Sequence, residues 1–191
     1  MTAFEIVFAL VTMITSLAIA HLLNGFASIV RNAGRVRSSP LHALWFWIAF
    51  TIVIGNWASF WEMRSVASWP AWAVLMIVVV YTLQYLFCAL LTPEMPQQGE
   101  LDLREFHARS SRGYIGSLIV LELASLALNF ALGGADFYVS WWRDSLLTLV
   151  ALVLCVVAIA SSPSWLQLGS ALLMAALTTY YMVVACNVVV L

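Results

Sequence analysis

Long apolar stretches, separated by short polar segments, make up most of the chain. Six of them approach the roughly 20 residues that a helix needs to cross about 30 Å of hydrocarbon at ~1.5 Å per residue. They lack the period-two alternation of membrane β-strands, so we expect helices. The predicted spans are residues 4–30, 41–61, 70–91, 114–132, 145–160 and 165–191, of which the fifth is the shortest. The pattern predicts an all-α, polytopic six-helix transmembrane bundle forming a single transmembrane domain over residues 1–191.

The composition agrees with a chain that lies in lipid. Of its 191 residues, 64% are hydrophobic and 9% are charged, against about 45–50% and about 25% in soluble domains. A soluble fold would lack the polar side chains to cover its surface. The net charge of -1 gives no basic field for nucleic acid. We therefore expect the lipid bilayer as the partner and exclude nucleic acid.

Motifs that would indicate catalysis, a metal or a cofactor are missing from the sequence. The three cysteines form no CxxC pair, and the three histidines form neither an HExxH motif nor an i,i+4 pair. Neither a nucleophile elbow nor a phosphate-binding glycine loop is present. We predict no catalytic residues, no metal ligands and no cofactor.

The arginines predict the orientation of the bundle, because positively charged loops stay on the cytoplasmic side. Six of the eight lie in the loops after the first span and before the fourth: Arg31, Arg35, Arg37, Arg104, Arg109 and Arg112. Both loops are then cytoplasmic, and both termini lie on the non-cytoplasmic side. Arg64 and Arg143 would be external, as would a tryptophan belt of Trp57, Trp61, Trp69, Trp72, Trp141 and Trp142. The use of arginine without lysine indicates GC-rich coding, which we interpret as a multi-pass protein of a bacterial inner (plasma) membrane.

The loop of residues 92–113 is long enough to hold a short amphipathic helix of its own. Asp102 is placed to cap it, and Glu100 with Arg104 and Glu105 with Arg109 are i,i+4 pairs. We expect this cytoplasmic surface helix to anchor the fourth span, with Arg109 and Arg112 meeting anionic lipid headgroups. Docking of another protein is the alternative.

Several polar residues fall within the predicted spans. Counting inward at ~1.5 Å per residue places His21, Asn24, Gln84 and Glu122 in one layer, roughly 6–12 Å below the inner surface. Tyr81 lies one helical turn from Gln84, and Ser125 and Asn129 follow Glu122 at i+3 and i+7. The candidate site for an ion or solute is therefore Glu122, His21, Gln84, Asn24, Tyr81, Ser125 and Asn129.

These residues have a functional and a structural interpretation. Glu122 could hold a proton or cation, with His21 facing it from the first span as a second titratable group. Asn and Gln side chains commonly bond across membrane helices for about 0.6 kcal/mol each, so we favour packing for Asn24, Gln84 and Asn129, and also for His21. A buried carboxylate costs more than one such bond returns, so for Glu122 the two interpretations are balanced. Glu5 and Asn56 are the candidates for an external vestibule.

The leading hypothesis is an integral membrane protein that moves a small ion, proton or solute through this inward-facing polar layer. The alternative is a non-catalytic accessory or scaffold subunit, which would need a homo-oligomeric or membrane-complex partner. An intramembrane enzyme is the third choice. Glu122 is the feature that discriminates between the first two, because a scaffold has little reason to bear its burial cost.

Overall fold

The computed structural model describes residues 2–66, 69–132, 145–161 and 164–190. Over these ranges the chain forms six α-helices, and each predicted span coincides with one of them. They are α1 (Ala3–Arg31), α2 (Pro40–Ser59), α3 (Ala71–Leu91), α4 (Leu103–Leu132), α5 (Leu146–Ala160) and α6 (Ser164–Val190). Trp141, Trp142 and Arg143, which contributed to the predicted external side, lie outside the described residues.

Five of these helices are long and apolar enough to cross a membrane: α1, α2 with its extension, α3, α4 and α6. The described α5 has 15 residues and covers about 22 Å, less than the ~30 Å of hydrocarbon. A 3₁₀ segment, Phe60–Ser65, carries α2 past Trp61, where the span was predicted to end. The helices are consistent with an all-α, multi-pass integral membrane protein. The side on which the termini lie stays a prediction.

Local signals account for the helix starts. At α1, the Thr2 hydroxyl accepts from the Glu5 backbone N–H, and the Glu5 carboxylate accepts from the Thr2 N–H, which is a capping box. At α2, the Ser39 side chain caps the helix and Pro40 occupies the first turn. At α4, Asp102 Oδ1 accepts from the backbone N–H of Arg104 at 2.8 Å and of Glu105 at 3.2 Å.

The surface helix predicted before the fourth span is not an element of its own. Helix α4 runs unbroken from Leu103 to Leu132, so the predicted surface helix forms its first turns. No proline falls in this stretch, and the helix continues through Gly113. The Glu105–Arg109 pair forms at 2.7 Å. Glu100, predicted to pair with Arg104, instead pairs with the Arg37 guanidinium at 2.9 Å.

The two arginine-rich loops lie against each other. Val36–Arg37 (β1) and Leu101–Asp102 (β2) form a two-residue parallel bridge. The Arg35 guanidinium donates to the carbonyl oxygens of Gly99 and Pro96. The loops predicted to share one side of the membrane therefore meet at the same end of the bundle.

The helices pack in a ring whose order is α1, α3, α4, α5, α6, α2 and back to α1. The most extensive contact is between α2 and α6, and α2 also reaches α3 and α4 across the ring. The core is apolar and aromatic, and the largest fully buried side chains include Trp45, Tyr114 and Phe87. Helix α1 packs mainly against α3 and α2. This matters for the predicted site, because His21 and Asn24 belong to α1.

Candidate functional site

A cavity of about 310 Å³ lies between five helices, α2 to α6. Its volume is at the lower end of the range for small-molecule sites. Among the described residues that line it, none belongs to α1. Its polar wall consists of Asn56, Ser59, Glu62, Tyr81, Glu122, Ser125, Asn129, Thr148, Thr178 and Tyr181.

Helix α4 contributes an acidic and polar stripe to this cavity. The half-buried Glu122 and Ser125 and the exposed Asn129 all line it, so the predicted stripe faces this cavity. Tyr181 of α6 and Cys155 of α5 lie within electrostatic range of the Glu122 carboxyl. Within the described ranges, the Glu122 carboxyl makes no hydrogen bond or ion pair. A carboxyl group in that position needs a proton, a cation or water, and the cavity has room for each of them.

Asn56 of α2 joins three helices through hydrogen bonds. Its side-chain amide donates to Gln84 Oε1 at 2.8 Å, and its backbone carbonyl accepts from the Tyr81 hydroxyl at 2.8 Å. The Tyr181 hydroxyl lies 3.1 Å from Asn56 Oδ1 and 2.9 Å from the Ser59 hydroxyl. This network fixes α3 and α6 against α2, so three walls of the cavity are held in a defined arrangement.

A second set of polar contacts joins α2 to α6 on the same side. The Thr51 hydroxyl donates to Thr178 Oγ1 at 2.8 Å, and Trp47 Nε1 donates to Thr179 Oγ1 at 2.9 Å. Such bonds, together with close packing, hold membrane helices together where the lipid is as apolar as the side chains. They hold α2 against α6, whose Thr178 lines the cavity.

The structure separates His21 and Asn24 from the cavity. The His21 ring packs edge-on to the Tyr85 ring of α3, with the centroids 5.9 Å apart. Asn24 is exposed on α1. The predicted pairing of Glu122 with His21 does not form, because α1 lies on the far side of α2 and α3 from the cavity.

Gln84 and Tyr81 reach the cavity region in different ways. Gln84 is fully buried at 0% exposure and bonds to Asn56 without lining the cavity. Its Nε2 has no hydrogen-bond partner among the described residues. Tyr81 lines the cavity with its ring, while its hydroxyl is held by Asn56. Gln84 thus holds helices together, and Tyr81 is part of the cavity wall.

The predicted headgroup contacts are both on the surface of α4. Arg109 is exposed and paired with Glu105, and Arg112 is exposed. Their contact with lipid stays a prediction.

Sequence reasoning missed Tyr181, Ser59, Thr178 and Thr148. A signal was present, because Thr178 and Tyr181 are three residues apart on α6, as are Asn56 and Ser59 on α2. Each pair places two polar groups on one helix face.

A second cavity, of about 320 Å³, has almost no polar wall. It lies where the end of α1, the start of α2 and the start of α4 meet. Two serines and His42 also line it, and His42 is 2% exposed and has no hydrogen-bond partner for either ring nitrogen among the described residues. This cavity is lined by Phe26, Ile29, Ser38, Ser39, His42, Ala43, Phe46, Trp47 and Leu103.

Comparisons with known proteins return no match to this chain: no family model, no curated protein and no solved structure. The functional argument therefore depends on the cavity itself.

Proposed function

We propose that this multi-pass membrane protein takes a small cation or polar solute into the cavity around Glu122 and moves it across the bilayer. The observation that carries the proposal is the position of Glu122. Its carboxyl faces a cavity within the bundle and has no partner among the described residues. His21, the second titratable group of the sequence hypothesis, does not line this cavity.

Energetics favour this function over a scaffold. A charged side chain at the bilayer centre costs a few kcal/mol on insertion scales. A scaffold gains nothing from that cost, whereas a site for a cation recovers it whenever the ion is bound. The surrounding hydrogen bonds supply a fixed wall, which a binding site needs.

Flux measurements on proteoliposomes test the proposal. The wild-type protein is compared with Glu122→Gln under K⁺, Na⁺ and pH gradients. The control is Glu105→Gln, the same substitution at an exposed position of the same helix. We expect at least about a tenfold loss of flux in Glu122→Gln, because the site loses its charge, and wild-type flux in the control. Equal flux in all three proteins would refute the proposal.

His21→Phe adds a sharper control. Its ring packs on Tyr85 outside the cavity, so we expect flux close to that of the wild type. A loss as large as that of Glu122→Gln would return His21 to the mechanism.

The scaffold alternative still predicts a homo-oligomeric or complex partner. Purification in mild detergent tests it, because a scaffold should carry a stoichiometric companion. Protein that is repeatedly isolated alone, with Glu122-dependent flux, would exclude the alternative. For the enzyme alternative, the described residues offer no specific supporting observation.

A further inference from the structure

The cavity wall combines carboxylates with aromatic rings. Phe60, Tyr81 and Tyr181 all line it. The Phe60 ring is stacked on Phe4 and Trp69, with centroids 5.9 and 5.8 Å apart, so Tyr81 and Tyr181 are the rings left to face a ligand. Aromatic faces attract cations through the ring quadrupole.

The tyrosine hydroxyls are already bound to α2. The Tyr81 hydroxyl donates to the Asn56 carbonyl, and the Tyr181 hydroxyl lies between the Asn56 and Ser59 side chains. A ligand therefore meets these two residues mainly through their ring surfaces. The backbone carbonyl oxygen and Oδ1 of Asn56 are the acceptors of these bonds.

This wall suits a bare metal ion poorly. Calcium takes six to eight oxygen ligands, and magnesium needs an octahedral set. Over the part of the chain that the structure describes, no group of three His, Cys, Asp or Glu side chains could hold a metal. Much of the remaining wall is aliphatic, including Ile52, Ile77 and Leu128.

Two carboxylates lie along the cavity, one on its exposed side and one farther in. Glu62, on the 3₁₀ extension of α2, is exposed and lines the cavity. Glu122 lines it from the interior of the membrane-spanning helix α4. Two carboxylates along one cavity attract a cation and lead it from the first to the second.

We propose that the ligand of this cavity is a small organic ammonium ion, with its charge at the Glu122 carboxylate and its carbon substituents against the rings of Tyr81 and Tyr181. The inference rests on the proposed function and specifies its substrate class. A volume of about 310 Å³ suits a ligand of a few carbon atoms better than a bare ion.

Calorimetric titration of the full-length protein in detergent tests the inference, with tetramethylammonium chloride as the probe and potassium chloride as the comparison. Wild-type protein should bind tetramethylammonium. Glu122→Gln should lose at least about tenfold in affinity, and Tyr181→Leu about two- to fivefold, because one cation–π contact is removed. Glu105→Gln should bind as the wild type does.

A second pair of variants covers the case in which Tyr181→Leu does not fold. Tyr81→Phe keeps the ring and should retain most of the tetramethylammonium affinity, whereas Tyr81→Leu should weaken it. Binding that follows the presence of the ring, and not of the hydroxyl, supports the inference. Equal affinity in Tyr81→Phe, Tyr81→Leu and wild type would overturn it.

The outcomes separate the inference from the proposed function. Glu122-dependent flux of K⁺, Na⁺ or protons without tetramethylammonium binding would overturn the ammonium assignment and leave the proposed function intact. Tetramethylammonium binding that is unchanged in Glu122→Gln would place the ligand elsewhere and also overturn the assignment. Absence of both the binding and any Glu122-dependent flux would remove the two proposals together.

Discussion

The two cavities of this protein have nearly the same volume, about 310 and 320 Å³, and almost opposite walls. The first carries a carboxyl group and a hydrogen-bonded network from several helices. The second is walled mostly by aromatic and aliphatic side chains, with two serines and a buried imidazole. Volume alone would rank them equally, so it is the chemistry of the wall that distinguishes a candidate site from a gap in packing.

The hydrogen bonding of buried polar groups also differs. At the first cavity, Asn56 uses both its side-chain amide and its backbone carbonyl in bonds to other helices. At the second, neither ring nitrogen of His42 has a partner among the described residues. Removing a polar group should therefore have opposite consequences at the two cavities.

Asn56→Leu should produce the largest effect on stability. It leaves the Gln84 amide and the Tyr181 hydroxyl without their Asn56 bonds, so we expect a loss of about 2–4 kcal/mol in the free energy of unfolding. Reversible unfolding in mixed micelles, followed by tryptophan fluorescence, measures this loss. Stability equal to that of the wild type would mean that the network does not hold the cavity wall.

Gly55→Ala should have the next largest effect. A Cβ at Gly55 would lie 2.7 Å from Tyr181 Cε1, so the ring that lines the cavity must move. We expect a loss of about 1–2 kcal/mol from overpacking. The same unfolding measurement applies. Gly116→Ala is the matched control, because a Cβ there meets nothing within 4 Å, and it should be neutral or slightly stabilising.

His42→Leu tests the other cavity. Because the imidazole has no partner among the described residues, its replacement by an apolar side chain of similar size should leave stability unchanged within about 1 kcal/mol, or raise it. The thermal midpoint in detergent is sufficient to measure this. A fall as large as that of Asn56→Leu would remove the contrast between the two cavities.

Substitution of Asp102, next to the apolar cavity, should have the smallest effect on stability. Hydrogen bonds from the backbone N–H groups of Glu105 and Arg104 hold its pKa below the ordinary value of 3.8. Its stabilising contribution is therefore present above pH 3.8 and is lost as the pH falls through the lower folded pKa.

The matching experiment compares thermal midpoints of wild type and Asp102→Ala. We expect a difference of no more than a few degrees at pH 7, because the group is exposed, and a smaller one below pH 3. Asp102→Asn, which still caps the helix, should lie between them. A difference that grows in acid would contradict the assignment of the cap.

The spans could be predicted from the sequence, because the lipid, and not the neighbouring helices, sets the length and hydropathy that a span needs. The inward direction of the stripe that begins at Glu122 could be predicted as well, since such a stripe is costly against acyl chains.

The order of the helices around the ring could not be read from a linear pattern. Residues at one depth still face different neighbours, and α1 lies behind α2 and α3 from Glu122. Asn56 was assigned to an external vestibule because the second span was expected to end at Trp61. The 3₁₀ segment extends that element to Ser65, so Asn56 lies deep enough to bond to Gln84.

The shortness of α5 has a consequence for the surrounding membrane. Leu147, Thr148 and Ala151 of this helix form one side of the cavity around Glu122, where the described apolar helix falls several ångströms short of the bilayer thickness. A helix of this length is matched by a bilayer thinner than ~30 Å. We therefore expect short-chain lipids to fit the α5 side of the cavity better than long-chain lipids do.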